Sequence, residues 1–158
     1  YLISKQTDIP FIVIGNIENK YGNYLKKKYA DTSIRFVGSI YDKHALDSLR
    51  HYASIYFHGH SVGGTNPSLL EAMASQAFII AHDNEFNGSV CGENAYYFTS
   101  KEDVSTLILA NRDGDGRERK KMIQQNLRTV YQDYSWNHIV ESYENLFLNG
   151  LESNRVTE

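Results

Sequence analysis

Residues 58–74, HGHSVGGTNPSLLEAMA, concentrate the groups of this chain that could bind a charged ligand. Gly63 and Gly64 allow main-chain conformations that other residues avoid, and they let a ligand approach the backbone. Asn66 is a good helix N-cap, and Pro67 suits the first helical position because its missing N–H would be unbonded there anyway. Free N–H groups of that first turn, together with the helix dipole, bind anions. The stretch therefore predicts a phosphate or diphosphate site at the start of a helix.

This stretch differs from two common phosphate-binding motifs. No Gly-Lys-Ser/Thr follows the glycines, so it is not a Walker loop, and Gly-x-Gly-x-x-Gly is absent after the first predicted strand. Glu71 falls about one turn inside the predicted helix, too deep to contact a diphosphate that would also repel it. Its carboxylate could instead accept hydrogen bonds from both hydroxyls of a ribose. A tight Gly-Gly turn with a solvated Glu71 is the alternative that the spacing leaves open.

Histidines near this stretch raise the question of a metal or a catalytic site. His58 and His60 are two residues apart, and Glu71 and His82 could lie nearby, but this spacing is thin support for a metal centre. We expect no metal, and we take His60 as a candidate polar contact to phosphate or sugar. His58 could equally be a satisfied residue at a strand end. Ser68 has no obvious base, so Ser-His-Asp catalysis has little support and no catalytic residue is assigned.

Short apolar runs alternate with helical patterns along the chain. Strands are predicted at residues 11–15, 34–38, 54–58, 78–81 and 95–98. Helices are predicted at 20–30, 43–53, 67–76, 101–111, 117–132 and from 135 to about 148, with Asn149-Gly150 as the last stop. The continuous apolar run 11–15 predicts a strand that is covered on both faces. Strands separated by helices indicate an α/β fold, a Rossmann-like parallel sheet with helices on both faces.

Ligands bind such sheets at the carboxyl ends of the strands. Four segments leave predicted strands at that edge, at residues 15–16, 38–41, 58–66 and 82–88. The polar segment 83–87 could bind sugar hydroxyls, with an ordinary acidic turn as the alternative. The lysine run 26–28 is interpreted as a solvated helix face, and a polar contact with a membrane surface stays open there.

Composition limits the function classes. The length of 158 residues fits one domain, and a net charge of −3 without a basic face argues against nucleic-acid binding. Cys91 is the only cysteine, which excludes a disulfide or a cysteine-based zinc site and suits a reducing cytoplasm. The apolar runs are too short to cross a bilayer. The chain starts at Tyr1 without Met, so we expect a fragment, with a domain at 1–150 and a fraying polar tail at 151–158.

Three segments resemble a known family. GGTNPSLLEAMASQAFIIAHD is similar to the signature of glycosyltransferase family 4 (group 1), retaining nucleotide-sugar transferases of the GT-B fold. SIRFVGSIYDKHALDSLRHYASIYFHG resembles the block that precedes this signature, and DYSWNHIVESYENLF resembles the closing helix of the same domain. GHSVGGTNPSLLEAM is most similar to bacterial rhamnosyltransferase-like members that build surface polysaccharides. The match covers roughly residues 8 to 148.

The resemblance implies that this chain is the C-terminal donor-binding domain of a GT-B enzyme, with its first strand missing. It implies that Glu71 holds the ribose hydroxyls, that Thr65, Asn66 and the first helical turn face the diphosphate and sugar, and that residues 38–40 contact the nucleobase. Together with the residue-level reasoning, it gives nine candidate donor-binding residues: Gly38, Ser39, Ile40, His60, Gly63, Gly64, Thr65, Asn66 and Glu71.

Two departures from the family pattern affect sugar and phosphate binding. The first acid of the signature falls on Gly63, so His60, Asn66 or the 83–87 segment would have to replace it. The Arg and Lys that usually neutralise the diphosphate belong to a segment that this sequence lacks, and residues 1–7 look like the end of the helix after it. We therefore expect the chain alone to bind nucleotides weakly and not to turn over.

The resemblance also implies partners and a location. The donor would be a UDP-, dTDP- or GDP-sugar, and the acceptor a glycan or lipid-linked glycan held by a missing N-terminal domain. No cofactor is implied. The full-length protein would be cytoplasmic, with a place at the inner face of the membrane and a peripheral membrane contact also open. Two alternatives remain, an α/β module that binds nucleotide or phosphate without chemistry and a GT-B nucleotide-sugar epimerase.

Overall fold

Strands and helices alternate in the computed structural model, which describes residues 9–111 and 116–155, with side chains described as far as residue 150. The strands are β1 Phe11–Ile14, β2 Ile34–Gly38, β3 Tyr56–His58, β4 Ile79–His82 and β5 Tyr96–Phe98. The helices are α1 Lys20–Lys28, α2 Lys43–Tyr52, α3 Pro67–Ala74, α4 Glu85–Cys91, α5 Lys101–Ala110, α6 Arg117–Asp133 and α7 Trp136–Arg155. The α/β fold class and all five predicted strands are confirmed, and no strand end differs from its prediction by more than two residues.

Two predictions of local structure are wrong. Residues 85–91 form helix α4, although the segment 82–88 was expected to be a loop. The helix forms because the side chain of Asn84 caps it by accepting the main-chain N–H of Asn87. Helix α7 continues through Asn149-Gly150 to Arg155 instead of stopping there. The expected helix end in residues 1–7 and most of the polar break at 113–116 lie outside the described residues.

The parallel strands form two small sheets instead of one. One sheet has the order β1-β2, and the other has the order β3-β4-β5. In a doubly wound sheet the strands lie in the order 3-2-1-4-5-6. If β1 to β5 are compared with strands two to six of that order, the gap between the two sheets falls at the place of strand one. Across it, the rings of Phe11 and Phe57 lie 5.7 Å apart.

The core lies around the three-stranded sheet. Ile79, Ile80 and Ala81 are all buried, and because successive strand residues point to opposite faces, β4 is covered on both sides. Strand β1 is not covered in this way, contrary to the prediction, since Phe11, Ile12 and Ile14 are each more than a third exposed. Within the described part of the chain β1 pairs only with β2, which leaves its other edge and much of both faces open.

Helix α3 is the element that fixes the candidate site to the core. Leu69, Ala72 and Met73 follow helical spacing and are fully buried in the main hydrophobic cluster. The hydroxyl of Tyr56 on β3 donates to the main-chain carbonyl of Ser68, at 3.4 Å. The first turn of α3 is thereby attached to β3. None of the described helices is both long and apolar enough to cross a membrane.

Candidate functional site

The loop at residues 59–66 joins β3 to α3 and carries most of the predicted site. Residues 59–65 are exposed. Gly63 has φ +112°, a conformation that side chains disfavour, whereas Gly64 does not have a positive φ. The expectation that both glycines need their conformational freedom is therefore correct only for Gly63. A Cβ added at either position would meet no other atom within 4 Å, so the outer side of the loop is open.

The start of α3 confirms the predicted N-cap but changes the prediction about free N–H groups. The side-chain oxygen of Asn66 accepts the N–H of Ser68 at 3.0 Å and its hydroxyl at 2.8 Å. The carbonyl of Asn66 accepts the N–H groups of Leu69 and Leu70, at 3.0 and 3.3 Å. Pro67, at the first helical position, has no N–H. The N–H groups of the first turn are therefore not free, because Asn66 uses them.

The free donors lie one step earlier in the chain. Among the described residues, none accepts a hydrogen bond from the main-chain N–H groups of Gly63, Gly64, Thr65 or Asn66. These four groups lead directly into the positive end of the α3 dipole. An anion at this helix would therefore contact the loop amides rather than the amides of the first turn.

Glu71 makes a contact that the sequence did not reveal. One of its carboxylate oxygens, Oε2, accepts a hydrogen bond from Nη2 of Arg50 at 2.6 Å. Arg50 is buried, and its Nη1 donates to Asp47 at 3.0 Å. Lys43 in the first place, and also Arg50 and Ser75, lower the pKa of Asp47. Glu71 thus links α3 to α2. Of its two carboxylate oxygens, Oε1 has no hydrogen-bond partner among the described residues.

A cleft of about 460 Å³ lies at the carboxyl ends of β1 and β2. Its wall consists of Asn16, Ile17, Glu18, Lys26, Phe36, Val37, Gly38, Ser39 and Tyr41. Of the three residues expected to contact the nucleobase, Gly38 and Ser39 line this cleft, while Ile40 is half-buried and does not line it. The loop residues 59–66 and Glu71 also do not line this cleft. The predicted site thus falls into two parts, a cleft and an open loop.

Lys26 is a cleft residue that sequence reasoning assigned to a solvated face. Helix α1 comes close to the segment after β1, because Gly22 is buried against the main chain of Ile17 where any Cβ would clash. Lys26 lies about one turn further along the same helix face. The glycine in the first turn of this helix was the available signal, since glycine often marks a close approach of two backbone segments.

Two histidines at the end of β3 stack on each other. The rings of His58 and His60 are 4.7 Å apart, and Tyr56 lies on the other side of His58 at 6.2 Å. His58 is buried, and neither of its ring nitrogens has a hydrogen-bond partner among the described residues. Burial, and to a lesser degree His60, lowers the pKa of His58 to about 4, so its ring is neutral at neutral pH. Across residues 9–111 and 116–155, no group of three metal-ligating side chains comes together.

The segment that could replace the missing acid binds the loop instead. The amide nitrogen of Asn84 donates to the carbonyl of His60 at 3.0 Å, and that of Asn87 donates to the same carbonyl at 3.1 Å. Asn87 also donates to the carbonyl of His82, at 2.9 Å. These amides are already used within the protein.

Solved glycosyltransferase structures share this architecture. The C-terminal domain of a glycosyl transferase group 1 family protein (LpcC) from Francisella tularensis matches 85% of this chain and 75% of its own length, with a TM-score of 0.65 and 22% identity. A glycosyltransferase from Rickettsia africae ESF-5 matches 94% of this chain with a TM-score of 0.66 and 17% identity. This chain shares the fold of these two proteins.

The glycosyltransferase likeness is one of structure. This chain spans 42% of the length of the Rickettsia protein. No protein-family model matches the sequence, and no curated protein matches it. At these identities the comparison establishes the fold, and the residues of the loop and the cleft must carry any statement about function.

The buried His58 predicts a specific response to acid. In the unfolded chain His58 takes up a proton near pH 6.5, but in the folded chain only near pH 4, so the unfolded state binds more protons between these values. The free energy of unfolding should therefore fall as the pH drops from 6.5 towards 4. His58→Phe should flatten this part of the profile, as measured by urea unfolding across the range.

The matched control removes an exposed histidine instead. His138→Gln on α7 should leave the pH dependence of the unfolding free energy parallel to that of the wild type. A His58→Phe profile that also runs parallel to the wild type would show that His58 is not held neutral by burial.

Proposed function

We propose that this chain is the donor-binding domain of a retaining glycosyltransferase, and that its 63–66 loop receives the diphosphate of a nucleotide-sugar. One observation carries the proposal: four consecutive main-chain N–H groups have no acceptor among the described residues and precede the N-terminus of a buried helix. Main-chain amides at a helix N-terminus are a recurrent solution for binding phosphate groups. The glycosyltransferase fold supports this assignment over other phosphate ligands.

The cleft is proposed to hold the nucleobase. Its volume of about 460 Å³ falls in the range of pockets that bind small molecules. Gly38 has φ +78° and no neighbouring atom within 4 Å of an added Cβ, so a flat ring can approach the backbone at this turn. Lys26 and Glu18 add charges of both signs to the wall. Because cleft and loop share no residue, a ligand that uses both must be extended, as a nucleoside diphosphate is.

Glu71 is proposed to bind the ribose through one oxygen rather than two. Arg50 occupies Oε2, which leaves Oε1 as the acceptor for a hydroxyl. The same ion pair offsets the negative charge of Glu71, and this reduces its repulsion of a diphosphate nearby. The sequence suggested that both carboxylate oxygens of Glu71 accept hydrogen bonds from a diol. That arrangement would require Oε2 of Glu71 to accept from a hydroxyl and from Arg50 at the same time.

The chemistry that these residues support is stabilisation of a leaving group. When the bond between sugar and diphosphate breaks, negative charge develops on the diphosphate, and fixed N–H groups stabilise that charge. No described side chain is assigned as nucleophile or base. The donor is proposed to be a UDP-, dTDP- or GDP-sugar and the acceptor a glycan bound by another part of a longer protein. The alternatives of a binding module and an epimerase use the same loop, and no contact in the described residues favours either.

Calorimetric titration with UDP, dTDP and GDP tests the loop through a matched pair of glycine variants. At least one nucleotide should bind the wild-type chain. Gly63→Ala should weaken that binding by roughly tenfold, because a side chain at φ +112° costs about 1 kcal/mol or more and shifts the loop. Gly150→Ala on α7, outside the proposed site, should bind like the wild type, since its backbone is not in the left-handed region and its Cβ would meet open space.

Two outcomes of this titration would count against the proposal. No heat from any of the three nucleotides would contradict nucleotide binding itself. Equal affinities for the two alanine variants would contradict the part assigned to the loop.

A second pair of variants separates ribose binding from stability. Glu71→Gln and Asp47→Asn each remove one carboxylate partner of Arg50, so both should lower the free energy of unfolding by about 1 kcal/mol. Only Glu71→Gln should also weaken nucleotide binding, by roughly fivefold, because a neutral amide oxygen accepts a hydrogen bond from a hydroxyl more weakly than a carboxylate does. Urea unfolding and calorimetry on the same samples measure both effects. If Asp47→Asn weakens binding equally, Glu71 acts only through the fold.

A further inference from the structure

We propose that Asn87, supported by Asn84, is a positioning residue that fixes the loop at residues 59–65 and thereby sets its affinity for a diphosphate. The part of this inference that concerns affinity rests on the proposed function, whereas the part that concerns the loop does not. The sequence analysis predicted this role for neither asparagine. It interpreted the 83–87 segment as a contact to sugar hydroxyls or as an ordinary acidic turn.

The side chain of Asn87 joins two successive strand-to-helix junctions. Its amide nitrogen donates to the carbonyl of His60 after β3, at 3.1 Å, and to the carbonyl of His82 at the end of β4, at 2.9 Å. The residue is only 3% exposed. Asn84 donates to the same carbonyl of His60, at 3.0 Å. The carbonyl of His60 therefore accepts two amide donors that both come from the start of α4.

The loop has few other attachments. Among the described residues, these two bonds to His60 are the only hydrogen bonds that join residues 59–65 to the rest of the chain. The same residue also stacks its ring on His58. Gly63 and Gly64 follow His60 closely and restrict the backbone little. The position of the loop amides therefore depends on how firmly His60 is held.

Asparagine fits this task because one amide nitrogen carries two hydrogens. Each hydrogen can reach a different carbonyl, so one side chain holds the ends of two strand-to-helix junctions together. The main-chain N–H of Asn87 donates to the side-chain oxygen of Asn84 at 2.9 Å, which sets the first turn of α4 at the correct place. A loop fixed before the ligand arrives loses less conformational freedom on binding, so its affinity is higher.

The test compares two buried asparagines in the 158-residue chain. Asn126 is 1% exposed, and its amide donates to the carbonyl of Asn94 at 2.8 Å. Asn94 precedes β5, so this bond lies at the amino end of a strand, away from the loops at the carboxyl ends. Asn126→Leu is therefore the control for the loss of one buried amide, and Asn87→Leu is the test variant.

The first readout needs no ligand. Backbone ¹⁵N order parameters of residues 61–65 should fall in Asn87→Leu and stay at wild-type values in Asn126→Leu. The second readout is the affinity for UDP, dTDP and GDP and for the corresponding monophosphates. Asn87→Leu should weaken diphosphate binding roughly tenfold and monophosphate binding much less, while Asn126→Leu should change neither.

The outcomes distinguish the two proposals. Order parameters and affinities that are the same in both variants would overturn the role of Asn87 while the donor-site proposal stands. A loop that loosens without a change in diphosphate affinity would overturn it as well. If the wild type binds no nucleotide, the donor-site proposal fails, and the order parameters alone then decide whether Asn87 fixes the loop. A looser loop in Asn87→Leu together with weaker diphosphate binding supports the inference.

Discussion

The main-chain N–H groups of residues 63–66 have no acceptor among the described protein groups, and the proposed anion site depends on this observation. Asn66 accepts the N–H groups of the first helical turn, and Pro67 has no N–H. The N–H groups that remain available to a ligand therefore lie in the loop before the helix. The loop can present its amides because Gly63 adopts φ +112°. Its position is stable because the buried face of α3 holds one end and the carbonyl of His60 is fixed near the other.

The proposed site has few charged side chains. The chain carries a net charge of −3, and its loop offers amide dipoles instead of cations. The one carboxylate of the helix, Glu71, is compensated by the buried Arg50, which in turn is shared with Asp47. This arrangement keeps a negative side chain close to a proposed anion site without leaving its charge unbalanced. It also makes α2 part of the site, because the ion pair fixes Glu71 in the orientation that leaves one oxygen available.

Local signals in the sequence were sufficient for most elements, while contacts between distant residues were not. Apolar runs predicted the strands, and Asn66 and Pro67 predicted the start of α3. Helix α4 was missed because Gly88 and its polar neighbours are typical of a loop, and the cap from Asn84 outweighs them. The bond between Arg50 and Glu71 spans 21 residues, and no spacing rule predicts it. The apolar β1 is exposed because burial depends on neighbours that its own residues do not encode.

The most direct measurement of the central claim follows the backbone amides while inorganic pyrophosphate is added to the isotope-labelled chain. The account predicts that the amide proton signals of Gly63, Gly64, Thr65 and Asn66 move downfield together and saturate, since each would gain an anionic acceptor. The amides of Ser68, Leu69 and Leu70 should shift less, because their hydrogen bonds to Asn66 are already made. Signals at 63–66 that stay in place while pyrophosphate binds elsewhere, or does not bind at all, would contradict the account.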